Sequence, residues 1–100
     1  MPTTRVALLA EFEVPFEHLD AFLAAAKREA EAVHRDESTC LVFEVVLLDG
    51  EEGRGVFVEV FADRDAAAAH RETPHFAAFH AETAGLGVRW SSRRGVVLGA

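Results

Sequence analysis

The 100-residue chain has a single cysteine, Cys40, and neither tyrosine nor asparagine. One cysteine excludes an intrachain disulfide, and Cys40 reads as a small core residue rather than a nucleophile. No apolar stretch approaches the ~20 residues that a membrane-spanning helix needs. The first residues hold Arg5 and then an alternating segment, without a signal-peptide core or a small-residue cleavage site. The compartment this implies is the cytoplasm. Basic clusters are lacking as well: Arg93-Arg94 is only a pair, and the formal net charge is −7. That balance opposes a nucleic-acid backbone or an anionic membrane surface as partner. What the chain does have is apolar residues, 50% of the total, enough for one core in one domain over residues 1–100.

Residues 5–14, RVALLAEFEV, place Val6, Leu8, Ala10, Phe12 and Val14 on one face of a strand. Pro15 suits the first turn of a helix, where its missing N–H is no loss. Phe16, Leu19, Phe22, Leu23, Ala26, Ala30 and Val33 then recur at helical spacing to about His34. Glu17, Asp20, Lys27, Arg28, Glu29 and Glu31 fall mostly on the outer face of that helix. Residues 39–49 and 56–61 read as strands joined by the glycine-rich hairpin GEEGRG. Residues 62–83 form a second helical region, capped by Asp63 or Asp65 and broken near Thr73 by Pro74. Gly85 and Gly87 end it, and residues 88–100 supply a fourth strand, bent near Ser91 to Gly95. The order β-α-β-β-α-β predicts an α+β, ferredoxin-like antiparallel sheet with both helices on one face.

Two helices cover one side of such a sheet, yet these strands are apolar on both. Residues 41–48 set Leu41, Phe43, Val45 and Leu47 against Val42, Val46 and Leu48, and Val56, Val58 and Val60 stand against Phe57 and Phe61. A sheet with one wet face alternates cleanly, and monomers rarely expose so large an apolar face. The second face is therefore expected to pack on another copy in an isologous homodimer. Glu44 and Glu59 interrupt the apolar strands. A carboxylate on a central strand must be paired, hydrogen-bonded or protonated. Whether the two are cross-strand neighbours depends on the hairpin register.

His70, His75 and His80 recur every five residues. Five residues on a helix turn about 140° past a full turn, so successive rings diverge, and no His-x-x-x-His pair exists. A metal site of the usual kinds is not expected. His75 beside Pro74 suits capping or packing, His80 follows Phe76 at the core edge or interior, and the alanines before His70 leave room beside it.

FVEVFADRDAAAAHRETPHFAAF (57–79) resembles the antibiotic biosynthesis monooxygenase family: a strand with Glu and an aromatic, Asp, a small-residue helix, His, then Thr-Pro-His-Phe. HRDESTCLVFEV upstream is similar to the end of that family's first helix and its second strand. The resemblance implies dimers whose sheets pair into an α+β barrel. It also implies oxygenation of quinol or polyphenolic compounds by O2 without flavin, haem or metal, although other members isomerise small metabolites or degrade haem. By position, Glu59, Phe61, His70, His75 and Phe76 match the family's motif, and Arg35 matches the end of its first helix. Phe61 stands where the family usually has Trp. The haem-degrading branch needs that Trp and an early-strand Asn, and the chain has neither, so haem degradation is not expected; the lack of Asn and Tyr also departs from the best-studied polyketide oxygenases.

The resulting expectation is a cofactor-free monooxygenase acting on a small aromatic, quinol or polyphenolic compound. His70 would be the base, Glu59 would orient it or share its proton, and Arg35 would stabilise the substrate anion. Phe43, Phe57, Phe61, His75, Phe76 and Phe79 would contact the substrate. An isomerase using the same base, or a non-catalytic dimer that binds a small hydrophobic ligand, are the alternatives.

Overall fold

A computed structural model describes residues 4–99. Strand β1 (Val6–Glu13) leads through a 3-10 turn (Phe16–His18) into helix α1 (Leu19–Asp36), followed by β2 (Cys40–Leu47) and β3 (Arg54–Phe61). Helices α2 (Arg64–His70) and α3 (Pro74–Thr83) precede β4 (Arg89–Val96). The strands form one open antiparallel sheet in the order β2-β3-β1-β4, the ferredoxin-like arrangement expected from the sequence.

Local chemistry accounts for the element boundaries. Pro15 is extended and caps the 3-10 turn, its carbonyl accepting from the His18 N–H at 2.9 Å, so the α-helix proper begins at Leu19 rather than at Pro15. Asp63, rather than Asp65, caps α2 by accepting from the Ala66 N–H at 2.7 Å. Thr73 caps α3 by accepting from the Phe76 N–H at 3.3 Å, and Pro74 occupies the first helical turn. The break near Thr73 is thus two separately capped helices. Strand β4 pairs with β1 without a register shift from Arg89 to Val96, so no bend interrupts it across Ser91 to Gly95.

The inner sheet face presents Val6, Ala10, Phe12, Phe43, Phe57 and Phe61, all buried. Phe22 of α1 is fully buried above them, with ring centroids 4.7 Å from Phe12 and 5.9 Å from Phe79. Gly55 makes this packing possible, because a Cβ there would collide with the Phe12 ring and the Val46 carbonyl oxygen. A smaller core cluster forms around Phe61, Ala66 and Ala67, with Cys40 packed against both.

The hairpin register sets Phe43 opposite Glu59 and Glu44 opposite Val58. Alternation then sends Glu59 to the buried inner face and leaves Glu44 exposed on the outer one. The two carboxylates are therefore not neighbours. On the outer face Leu9, Val42 and Val46 are exposed and Val56, Val58 and Val60 half-buried, so the second apolar face read from the strands is present.

Helix α1 departs from expectation at one position. Its buried residues are Phe22, Ala25, Ala26, Glu29, Ala32 and Val33. Glu29 is one heptad after Phe22, on the stripe facing the sheet rather than on the outer face.

Candidate active site

Five titratable side chains meet where the two core clusters join. Glu29 comes from the middle of α1 and Glu37 from just beyond its end. Glu59 is on β3, His70 ends α2, and His75 is the second residue of α3. Glu29, Glu59 and His70 are each at most 4% exposed. The His70 ring lies 5.6 Å from Phe43 and 5.4 Å from Phe61, wedged between the clusters. The divergence expected for His70 and His75 on one helix does not apply, because the turn between α2 and α3 brings their centroids to 6.1 Å.

Hydrogen bonds assign the imidazole roles. His70 Nδ1 lies 2.9 Å and 3.0 Å from the two Glu37 carboxylate oxygens. A carboxylate accepts, so Nδ1 carries the proton and Nε2 is the nitrogen with a free lone pair in the neutral ring. Nε2 lies 3.8 Å from Glu59 Oε1 and 3.9 Å from Glu29 Oε2. Both oxygens are buried without a hydrogen-bond partner in the protein. His75 donates from Nδ1 to Glu29 Oε1 at 2.7 Å. Its Nε2 is 2.9 Å from Glu37 Oε2 but makes no hydrogen bond there.

Burial pushes the Glu59 carboxyl up to about 8, with Glu29 and then Glu37 adding to the rise and Arg71 opposing it. Glu59 is therefore a neutral acid at pH 7, able to donate a hydrogen bond or a proton. His80 is lowered, chiefly by burial. Cys40 is pushed up to about 12 by burial, and then by Glu37 and Glu59, so it remains a thiol. Among the described residues no His, Cys, Asp and Glu group has the arrangement of a metal-ligand set.

Glu29, Glu59 and His70 of this cluster line a cavity of about 390 Å³, within the roughly 300–1,000 Å³ of small-molecule sites. Its polar residues include Glu29, Glu59, His70 and Arg71, and its aromatic walls include Phe43, Phe57, Phe76, Phe79 and Trp90, with His80 and Ser92 also at the lining. A second hollow of about 380 Å³ lies near Glu13, Glu51, Arg54 and Arg89. Arg54 there pairs with Glu13 at 2.7 Å and with Glu51 at 3.2 Å at the surface.

Of the residues singled out from sequence, His70, Glu59, Phe43, Phe57, Phe76 and Phe79 line the cavity. Three do not. His75 stands behind the cavity, holding Glu29. Phe61, 1% exposed, is a core residue backing the His70 ring. Arg35 is exposed and bonded to Asp36 through two contacts of 3.0 Å, so Arg71 is the guanidinium at the cavity instead. Glu29, Glu37 and Arg71 were missed. Glu29 was detectable, since it completes the 22-25-26-29-32-33 stripe. Nothing local marks Glu37, whose role depends on a turn meeting a helix 33 residues away.

The sequence model of the antibiotic biosynthesis monooxygenase family matches residues 5–82. No curated protein matches the chain. The fold is similar to that of a candidate antibiotic biosynthesis monooxygenase from Caulobacter crescentus, 21% identical, with 98% of this chain and 93% of that one covered and a TM-score of 0.92. A protein so described from Nitrosomonas europaea is 21% identical, covers 99% and 93%, and has a TM-score of 0.84. One from Bacteroides thetaiotaomicron is 24% identical, covers 95% and 89%, and has a TM-score of 0.83. At these identities the solved structures speak to the fold, while the family match covers most of the chain: it belongs to the antibiotic biosynthesis monooxygenase family.

Proposed function

We propose that the chain is a cofactor-independent monooxygenase that uses O2 on a small phenolic or quinol-type ring. One observation carries this reading: His70 is held through Nδ1–H by Glu37, with Nε2 turned into an aromatic cavity beside a neutral Glu59. Nε2 takes a phenolic proton, and the anion passes one electron to O2. Recombination forms a C–O bond at a ring carbon bearing hydrogen, and the imidazolium protonates the peroxide. Nε2 then takes the C–H proton while Glu59 protonates the departing hydroxide, and the O–O bond breaks. His70 returns its proton to Glu59. The substrate gains one oxygen and loses two hydrogens, and the second oxygen atom leaves as water. Phe43, Phe57, Phe76 and Phe79 support this chemistry by keeping water from the anion.

The same acid and base around one spot would also serve an isomerase. Oxygen separates the two readings. Consumption of one O2 per turnover of a hydroquinone in an oxygen electrode, with no product under nitrogen, is the expected result. Product formed equally well under nitrogen would establish the isomerase, and saturable binding without turnover in air would make the chain a ligand-binding protein.

The working unit we propose is a homodimer closed through the outer sheet face. Exposed Leu9, Val42 and Val46 next to half-buried Val56, Val58 and Val60 support it. At ~25 cal/mol per Å², several hundred Å² of covered apolar area per chain is a large drive before association costs. Sedimentation at micromolar concentration should give twice the chain mass; a monomer mass would refute the dimer.

A further inference from the structure

Glu29 is a carboxylate on the core stripe of a helix, where an apolar side chain would serve packing better. One oxygen, Oε1, is used by the His75 Nδ1–H at 2.7 Å. The other, Oε2, is buried, has no partner in the protein, and lies 3.9 Å from His70 Nε2 on a residue that lines the cavity. Glu59 Oε1 is equally buried and unpartnered, 3.8 Å from the same nitrogen. The polar end of the cavity thus offers two acceptors side by side, His70 Nε2 and Glu29 Oε2, with the Glu59 carboxyl next to them.

We infer that Glu29 is a substrate-positioning residue, and that the site selects an aromatic ring with two adjacent hydroxyl groups. This rests on the phenolic reading above and deepens it. One hydroxyl donates to His70 Nε2 and accepts from Glu59; its neighbour donates to Glu29 Oε2. Adjacent ring oxygens stand closer together than the 3.9 Å between the acceptors, so each reaches its own acceptor at an ordinary hydrogen-bond length. A ring with one hydroxyl leaves Glu29 Oε2 orphaned. A hydroxyl on the opposite carbon points down the cavity toward the Phe and Trp90 walls, where this acceptor pair does not reach. Leaving a buried acceptor unsatisfied weakens binding by about tenfold.

Trp90 is the only tryptophan in the chain and lines the cavity, so its fluorescence reports binding without turnover. The test is a titration under nitrogen with 4-methylcatechol, its 2-methoxy ether and methylhydroquinone. The wild type should bind the catechol about tenfold tighter than the other two. In Glu29→Gln the amide oxygen stays with the His75 N–H and the NH2 faces the cavity, presenting a donor where an acceptor is needed. The catechol preference should then collapse to about unity, with the ether bound as before. Equal wild-type affinity for all three ligands overturns the inference, whether or not the variant folds. A preference unchanged in a folded Glu29→Gln protein removes Glu29 from it. Catechol preference without oxygen uptake in air would leave this inference standing and defeat the monooxygenase reading. Oxygen uptake with all three ligands bound equally would do the reverse.

Discussion

His70→Ala is expected to lower turnover of a phenolic substrate by ~10²–10⁴-fold, the range typical of a lost general base. The side chain is 4% exposed, and its Nε2 is the ring nitrogen that stands beside Glu29 and Glu59 at the polar end of the cavity. The other imidazole at the cavity, His80, packs against Phe76, Phe79 and Trp90 rather than beside the two carboxyl groups. Glu37 would keep His75 Nε2 2.9 Å away but is not among the residues that line the cavity. Glu29 Oε2 and Glu59 Oε1 stand nearly 4 Å from the vacated nitrogen position. The outer sheet face is untouched, so the sedimentation mass should equal that of the wild type. Steady-state oxygen uptake, with near-ultraviolet circular dichroism as the folding control, checks the prediction. A folded variant retaining full uptake would make His70 structural.

The second large effect is the pH dependence carried by Glu59. Its folded pKa, about 8, is raised from an ordinary 4.5 by burial first and by Glu29 next. The folded state therefore holds a proton that the unfolded chain releases. The stability tied to that proton is complete below about pH 4.5 and is lost as pH rises through about 8, at up to about tenfold in the folding equilibrium per pH unit. Glu59→Gln is isosteric and cannot ionise, so its stability should fall less across this window and exceed that of the wild type above pH 8. Denaturant midpoints at half-unit pH steps measure the difference; parallel curves would mean that Glu59 is not a neutral acid in the fold. Activity has a matching sign. If the protonated carboxyl serves the departing hydroxide, wild-type turnover should decline above about pH 8. Glu59→Gln should lose that alkaline limb and retain more activity than His70→Ala, because the base is still present.

Most of the architecture was legible because its signals are local. Alternation over Val6 to Val14 marks β1, two glycines bracket the β2–β3 turn, and Thr73-Pro74 separates α2 from α3. Each depends on backbone rules acting over a few residues. The apolar second sheet face was legible for the same reason, since the faces of a strand follow directly from its period of two.

The candidate site was legible only where chemistry coincided with an odd residue in a regular setting. Glu59 in an apolar strand and His70 after an alanine run are of that kind. Arg35 was carried over because it matches the end of the family's first helix, but that helix end is wet here, and the guanidinium pairs with the adjacent Asp36 instead. Phe61 was chosen as the aromatic that matches the family's motif, but its place on the inner face beneath α2 makes it support rather than wall. His75 was expected at the substrate, and the turn after α2 puts it behind Glu29.

Sequence alone determined the order of the elements, the two-sided sheet and the residue types available for acid–base work, because each follows from spacing along the chain. Only the tertiary structure decided that Glu37 orients His70, that Glu29 faces the cavity with one oxygen unpartnered, and that Glu44 and Glu59 lie on opposite sides of the sheet. Those outcomes depend on the hairpin register, on the path of the chain between α2 and α3, and on contacts between groups 33 and 46 residues apart. No local period encodes distances of that kind; they are set by how the helices pack on the sheet.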